Sequence, residues 1–148
     1  MSTVKADAAR MAFSAYGQEI VWAVLDSGID RDHPHFREHK NLDLSPPLSH
    51  IDFAGNEDRA LVDTFGHGTH VAGIIAGELK PSVDKDNGEQ RQIRASARYR
   101  DESGDVIYDP LILDAISGVA PKCKLVSLKV LDDKGDGVAS NLIAAIEW

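Results

Sequence analysis

Cysteine is nearly absent from this sequence, because Cys123 is the single one among 148 residues. One cysteine excludes an internal disulfide framework and a metal site built from several thiolates. Basic residues are also scarce: 16 Lys and Arg stand against 24 Asp and Glu, which gives a formal net charge of −8. Such a chain has no basic surplus for the phosphates of nucleic acid or for an anionic membrane surface. We therefore expect neither nucleic acid nor membrane among its partners.

Long apolar runs are missing as well, since no segment approaches the roughly 20 residues that span a bilayer. Residues 1–18 lack the apolar core of a signal peptide, and the sequence leaves the compartment open. What remains, 43% apolar and 27% charged residues, is the composition of a globular protein. The length suits one domain rather than two.

Two apolar segments, residues 20–25 and 124–131, predict neighbouring parallel strands. The unbroken apolar run at 20–25 predicts a strand buried on both faces, as in a sheet covered by helices. Small and apolar residues at helical spacing predict a helix over residues 66–77, packed across the sheet, and another helix is predicted over 140–148. The alternation of strand, helix, strand and helix along the chain predicts an α/β fold in which a parallel sheet is flanked by helices.

Residues 78–117 differ sharply from their surroundings, because charged and polar residues dominate them. Within this stretch, residues 94–100 and 106–108 around a turn at 102–105 predict a solvated hairpin. We expect a polar insertion in a single domain that comprises residues 1–148. A surface insertion is the default interpretation, and an exosite, a lid or an oligomer contact are the alternatives.

Two short segments carry the candidate chemistry. Asp26 directly follows residues 20–25, so it lies at the carboxyl end of a predicted strand, where open α/β sheets place their ligands. His67 lies between Gly66 and Gly68 at the start of a predicted helix, which leaves its imidazole accessible on one side. An accessible imidazole suits proton exchange with a substrate. Either residue alone is also compatible with an ordinary turn or surface position.

Together the two segments strongly resemble the subtilisin-like serine proteases, the subtilase family. That family carries its catalytic acid in a strand-ending D-S/T-G motif and its base in H-G-T-H-V-A-G, and both motifs occur here at residues 26–28 and 67–73. A third block, at residues 118–131, resembles the family's G-V-A-P turn and the core strand after it. The resemblance covers roughly residues 20–77 and 118–148.

The resemblance implies roles for particular residues. Asp26 would hold the imidazole of His67 in one tautomer, and His67 would take the proton of a serine hydroxyl and pass it to the leaving amine. Gly135, Asp136 and Gly137 match the family's segment that pairs with an extended peptide substrate as an added strand. A simple turn before the helix is the alternative for these three residues.

The family's nucleophile segment, G-T-S-x-A-x-P, does not occur in the 148 residues. Ser27 lies on the turn beside Asp26, and we expect no base in position to deprotonate it. The resemblance thus implies a serine endopeptidase of which this chain carries the acid and the base but not the serine, and we expect the chain alone to be inactive. Truncation of a longer enzyme is the favoured explanation, and a complementing second chain or a degenerate gene are the alternatives. The rival function is a non-catalytic binding module on the subtilase fold.

The implied chemistry requires no cofactor. Many relatives hold structural calcium through an aspartate after an H-P pair, but here His35 follows His33-Pro34, which weakens the expectation of that site. Residues 132–137 resemble a calcium loop superficially, but Lys134 occupies a ligand position, so we expect a solvated turn.

Two other interpretations of the motifs are weaker. The segment at residues 24–28 also resembles the active loop of retroviral-type aspartic proteases, but those lobes are nearly all β and have no place for a helix over 66–77. A zinc site at His67 and His70 lacks the i, i+4 spacing and the glutamate of the zinc-peptidase helix. We expect His70 to make a buried, structural hydrogen bond.

The helix predicted over residues 140–148 has apolar side chains such as Leu142, Ile143 and Ile146 that need a cover. We expect the chain to self-associate, or to pack against further polypeptide or a second chain, through residues 118–148.

Overall fold

A computed structural model of the protein describes residues 5–55, 58–82, 88 and 92–148. The chain divides into two compact units, Met1–Glu78 with Ser117–Trp148, and Leu79–Ile116. Among the described residues, the α-helices are α1 (Ala6–Phe13), α2 (His67–Ala76) and α3 (Ala139–Glu147), and a short 3-10 helix spans Pro34–Phe36. The strands in chain order are β1 (Val21–Asp26), β2 (Ile51–Asp52), β3 (Glu78–Leu79), β4 (Ile93–Arg100), β5 (Val106–Leu113), β6 (Ile116–Ser117) and β7 (Lys124–Lys129).

The first unit is built on a three-stranded sheet in the order β1-β7-β2. β1 and β7 run parallel, from Val21 opposite Lys124 to Asp26 opposite Lys129, and β2 pairs in parallel with the other side of β7. Helix α2 packs against both β1 and β7. The predicted α/β architecture, with neighbouring parallel strands under the 66–77 helix, is confirmed.

Two apolar clusters cover the sheet. Successive residues of β7 enter different clusters: Leu125 packs with Ala72 of α2, whereas Val126 packs with Ala145 of α3. Since successive side chains of a strand point to opposite faces, α2 and α3 lie on opposite faces of the sheet. Cys123, whose thiol is free and fully buried, belongs to the cluster under α2, and burial raises its pKa.

The expectation that residues 20–25 are buried on both faces is wrong for their first half. Ile20, Val21 and Trp22 are 51%, 45% and 49% exposed. In the part of the chain that the structure describes, β1 has a strand neighbour on its β7 side alone, whereas β7 lies between two strands. Apolar continuity predicts a strand but does not distinguish a central strand from one at the edge of a sheet.

The second unit contains the predicted hairpin. β4 and β5 pair antiparallel, with Ile93 opposite Leu113 at one end and Arg100 opposite Val106 at the turn. The hairpin is confirmed, and its strands are longer than the sequence pattern predicts. Separately, β3 and β6 form a two-stranded sheet.

Helix α3 exposes a row of large apolar side chains. Leu142, Ile143 and Ile146 are 45%, 55% and 69% exposed, while Ala145 is the buried residue of this helix. The uncovered apolar face that the sequence predicts is therefore present. Among the described residues, no helix is both long enough and apolar enough to cross a membrane.

Candidate active site

Asp26 and His67 meet where β1 ends and α2 begins. Nδ1 of His67 lies 2.9 Å from Oδ1 and 2.8 Å from Oδ2 of Asp26, so the predicted contact between the two side chains is confirmed. Asp26 is 8% exposed, whereas the side chain of His67 is 56% exposed. A carboxylate only accepts hydrogen bonds, so Nδ1 carries the proton and Nε2 of the neutral ring keeps a free lone pair. No described residue hydrogen-bonds Nε2.

Helix α2 is capped by Asp63 rather than by the residue that immediately precedes it. Gly66 has a φ of +89° and no side chain to cap the helix. Instead, the backbone N–H of Gly66 donates to Oδ1 of Asp63 and that of Thr69 to Oδ2, both at 2.8 Å. One carboxylate thus satisfies two of the N–H groups that a helix start leaves unpaired.

Hydrogen bonding also controls the charge state of Asp63. Burial acts to raise the pKa of this carboxyl, but hydrogen bonds from Thr69, Gly66 and Ser27 outweigh it and hold the pKa below its usual value. An ionised carboxylate at the start of a helix interacts favourably with the helix dipole.

Gly68 allows α2 to approach the end of β1, and Gly28 allows the loop before α2 to approach the turn after β1. A Cβ on Gly68 would collide with the carbonyl oxygen of Gly28 and would lie 3.1 Å from Cβ of Asp26. Gly28 has a φ of +107°, and a Cβ there would lie 2.6 Å from the carbonyl oxygen of Val62. Gly68 is therefore required by the close contact between α2 and the end of β1, and Gly28 by its positive φ and its contact with the loop at Val62.

Ser27 is fully buried, and all its polar groups have partners. Its N–H donates to Oδ1 of Asp26 at 2.7 Å, its hydroxyl donates to Oδ1 of Asp63 at 2.8 Å, and the hydroxyl oxygen accepts the N–H of Gly68 at 3.0 Å. Its carbonyl accepts the ammonium of Lys129. The Asp63 carboxylate accepts the hydrogen bond of this hydroxyl, but its lowered pKa makes it a weak base. The hydroxyl is also shut off from solvent, and the absence of a base in position to deprotonate Ser27 stays a prediction.

His70 is exposed, so the expected buried hydrogen bond is wrong. The helical period places His70 largely opposite Ala72 and Ala76, which are the residues that α2 buries. The neighbouring Thr69 makes the structural contacts instead, because its hydroxyl donates to Oδ2 of Asp63 at 2.5 Å and accepts the N–H of Asp30 at 2.9 Å.

Residues 132–137 form the expected turn, and its last three residues are the predicted substrate-binding residues Gly135, Asp136 and Gly137. Oδ1 of Asp132 accepts the backbone N–H groups of Lys134 and Asp136 at 2.8 and 2.9 Å, and these bonds lower the pKa of its carboxyl. Gly135 has a φ of +84°, as a tight turn requires.

This turn is tied to the loop that precedes His67. Asp133 accepts a hydrogen bond from Arg59 at 2.7 Å, and its interactions with Arg59 and Thr64 hold the pKa of its carboxyl below the usual value. Gly135 lies against the ring of Phe65, since a Cβ on that glycine would be 2.5 Å from the nearest ring atom. The structure therefore brings Gly135 close to Phe65, two residues before His67, although the role of residues 135–137 in binding substrate stays a prediction.

A cavity of about 300 Å³ opens beside Gly137. At the edge of this cavity, Gly137 pairs with Leu131 in a single antiparallel bridge. The walls of the cavity are apolar or small residues: Leu25, Val130, Leu131, Gly137, Val138, Ala139 and Leu142. The cavity is large enough for an apolar side chain.

His33 and His35 lie in the segment where the resemblance places the family's calcium site. His33 and His35 make an edge-on ring contact with centroids 4.6 Å apart, and burial, with a smaller contribution from His33, lowers the pKa of His35. Calcium prefers oxygen ligands, which these two imidazoles do not offer. Across the described ranges, no group of three or more His, Cys, Asp or Glu side chains could hold a metal ion.

Sequence reasoning missed two residues of the site. Asp63 could have been found as an acidic residue just before a predicted helix, where carboxylates commonly cap. Lys129 is 3% exposed, and its ammonium donates to the carbonyl of Ser27 and lies 3.3 Å from Oδ1 of Asp133. The signal for Lys129 was a lone charge inside an apolar strand, because a buried charge needs partners.

Comparisons with known proteins agree with the motifs. Residues 17–148 match the model of the subtilase family. The chain is 32% identical over 132 residues to subtilisin E of Bacillus subtilis, which covers 89% of this chain and 24% of that protein. It is likewise 32% identical to subtilisin of Bacillus pumilus, over 89% of this chain and 33% of that protein. Subtilisin-like protease 5 of Arthroderma gypseum is 30% identical, over 86% of this chain and 21% of that protein.

The chain thus spans between about a fifth and a third of the length of these relatives. The match runs through the strand that ends in Asp26 and the helix that begins with His67. With this similarity along nearly the whole sequence and with the two motifs in contact, the chain belongs to the subtilase family.

Proposed function

We propose that Asp26 and His67 are the acid and the general base of a subtilisin-like serine endopeptidase, and that polypeptide outside these 148 residues supplies the serine. The observation that carries the proposal is the contact of Nδ1 of His67 with both carboxylate oxygens of Asp26, at 2.9 and 2.8 Å. The half-exposed ring leaves Nε2 available to a reacting group, as a general base requires.

In this mechanism the buried carboxylate of Asp26 holds the ring in the tautomer that has its lone pair on Nε2. Nε2 of His67 takes the serine proton while the serine oxygen bonds to the scissile carbonyl carbon. The same nitrogen then protonates the amine as the carbon–nitrogen bond breaks, and it activates the water that releases the acyl group. Asp26 stays ionised and stabilises the imidazolium in both steps. No cofactor takes part in these proton transfers.

We propose further that an extended peptide substrate pairs with the backbone of residues 135–137. The apolar cavity beside Gly137 would take one side chain of that peptide, and its volume of about 300 Å³ admits a large one. Because a strand-like interaction reads the backbone, such binding would tolerate many substrate sequences.

We expect the exposed apolar face of α3 to be buried against further polypeptide or against a second copy of the chain. Sedimentation velocity measures this directly: we expect dimers or larger species of the 148-residue chain at micromolar concentration. A monomer that unfolds cooperatively would contradict this part of the proposal.

The peptidase role is tested in the longest polypeptide that carries this chain. Hydrolysis of an unstructured protein substrate is compared for the wild type, Asp26→Asn and His67→Ala, with His70→Ala as the matched control on the exposed face of α2. We expect Asp26→Asn to lose about 10⁴-fold in kcat and His67→Ala about 10⁶-fold, the order of effect of replacing the acid and the base of such a triad. His70→Ala should stay within a few-fold of the wild type.

The rival function, a non-catalytic binding module, gives a different result. In that case the wild type neither hydrolyses the substrate nor reacts with a serine-directed covalent inhibitor, and the Asp26 and His67 variants bind peptide as the wild type does. That outcome would remove the proposed peptidase role.

A further inference from the structure

Asp63 lies outside both sequence motifs, yet its carboxylate is the acceptor of four hydrogen bonds at the site. Oδ1 accepts the hydroxyl of Ser27 and the N–H of Gly66, each at 2.8 Å. Oδ2 accepts the N–H and the hydroxyl of Thr69, at 2.8 and 2.5 Å. The carboxylate therefore binds the turn after β1 with one oxygen and the first turn of α2 with both.

Ser27 extends this connection to both members of the Asp–His pair. Its N–H donates to Oδ1 of Asp26, the same oxygen that lies 2.9 Å from Nδ1 of His67. Its hydroxyl oxygen accepts the N–H of Gly68, the residue directly after His67. Ser27 is fully buried, so water cannot replace these bonds.

The backbone on either side of His67 is thus held by the same small network. Gly66 is bonded to Asp63, and Gly68 is bonded to Ser27, which is itself bonded to Asp63. Glycines lack side chains that could restrict the backbone there, so these hydrogen bonds contribute to its position together with the packing of Gly68 against Gly28.

We propose that Asp63, acting through Ser27, is a positioning residue that holds His67 in contact with Asp26. Its relevance to catalysis rests on the proposed function, but the contact itself is a property of this chain. The simpler alternative is that Asp63 only caps α2 and contributes to stability.

Ser27→Ala distinguishes these two roles. It removes the connection from Asp63 to the β1 turn together with the acceptor of the Gly68 N–H. It leaves the bonds from Gly66 and Thr69 to Asp63, and hence the part of the helix cap that Asp63 provides, in place. Asp63→Ala removes both the connection and the cap. The control is Asp43→Asn, which deletes a carboxylate that lies outside this network.

The readout is the tautomer of the neutral His67 ring, measured by ¹⁵N NMR of the histidine-labelled 148-residue chain at alkaline pH. His67→Gln assigns the signal. In the wild type and in Asp43→Asn we expect the proton almost entirely on Nδ1, as the Asp26 contact requires. In Ser27→Ala and in Asp63→Ala we expect a mixture of the two tautomers, as in an unrestrained imidazole. The double variant, Ser27→Ala with Asp63→Ala, should show no more of the second tautomer than either single variant, because both residues act through one connection.

Retention of the Nδ1 tautomer in Ser27→Ala and Asp63→Ala would overturn the proposal and leave Asp63 as a helix cap alone. If Asp63→Ala does not fold, Ser27→Ala and Asp63→Asn, which keeps one acceptor oxygen, decide the question by the same measurement. The NMR readout needs neither a serine nor a substrate. A negative result here would therefore leave the peptidase test standing, and a failed peptidase test would leave this result standing.

Discussion

β1 and β7 are similar strands with different surroundings. Both have six residues, and they pair in register along their whole length. Yet five residues of β7 are buried, whereas the first three residues of β1 are exposed. The difference follows from position, since β7 has a strand on either side and β1 is held at its carboxyl end, where α2 packs against it.

This comparison shows where the fold fixes the site. The half of β1 that contacts α2 is largely buried and carries Asp26, while the side chains of the half away from the site are exposed. We expect substitutions to be costly in β7 and at the contact of α2 with β1, and to be tolerated at the start of β1.

The largest difference is expected between two residues that lie opposite each other in the sheet. Leu125 of β7 is fully buried, and its register partner Trp22 of β1 is 49% exposed. Leu125→Ala should lower the free energy of unfolding by about 2–5 kcal/mol, because it leaves a cavity in the core. Trp22→Ala should cost about 1 kcal/mol or less. Urea unfolding at a fixed protein concentration measures both, and equal losses would show that the two strands are equally important to the core.

A smaller difference in stability, with opposite signs, is expected when a Cβ is added at each of two glycines of α2. Gly68→Ala should destabilise the chain by about 1–3 kcal/mol, because the added Cβ collides with the carbonyl of Gly28 and pushes the helix from β1. Gly73→Ala is the control, since its Cβ would meet nothing within 4 Å, and it should stabilise the helix by up to about 1 kcal/mol. Thermal unfolding of the two variants checks the signs; destabilisation by both would mean that the contact with β1 is not what requires Gly68.

The smallest expected effect on stability concerns His50. This residue directly precedes β2 and contacts β7 on the side where β2 pairs. Its Nδ1 accepts the backbone N–H of Ser127 at 3.0 Å, and its Nε2 donates to the carbonyl of Leu42 at 2.9 Å. This arrangement requires a neutral ring. Burial is the main reason that the pKa of His50 lies below its usual value, with a smaller lowering from Arg31.

The folded chain therefore binds this proton less readily than the unfolded chain does. The stabilisation from neutral His50 is fully present above about pH 6.5, the pKa of an unperturbed histidine, and is lost as the pH falls through the lower pKa of the folded state. We expect a loss of about 1 kcal/mol, the value of one hydrogen bond, between pH 7.5 and acidic pH. His50→Gln should reduce this dependence of the free energy of unfolding on pH, as measured by urea unfolding. The pKa of His35 is also lowered, so His35→Gln measures the separate contribution of that residue.

The architecture could be predicted because apolar continuity and helical spacing are local signals. The paired strands, α2 with its buried Ala72 and Ala76, and the hairpin all follow from them. Burial could not be predicted so well, because the exposure of Trp22 depends on how many strands flank β1, and periodicity does not carry that information.

The contact between Asp26 and His67 could be predicted from two motifs, since each is placed by the element it terminates or begins. The contacts of Asp63 and Lys129 could not, because neither lies in a motif and both bind Ser27 from distant parts of the sequence. The exposure of His70 was missed for another reason: a histidine one turn from the site was assumed to be buried, although the helical period turns it from the sheet.

The fully buried Cys123 gives the chain an internal probe of its own opening. Its thiol cannot meet an alkylating reagent until the start of β7 separates from the cluster under α2. Because the sequence has no second cysteine, each labelled molecule gains a single mass increment, and intact-mass spectrometry counts opened and unopened chains directly. The labelling rate in native buffer thus reports how often this region opens, in a protein to which no dye or tag has been added.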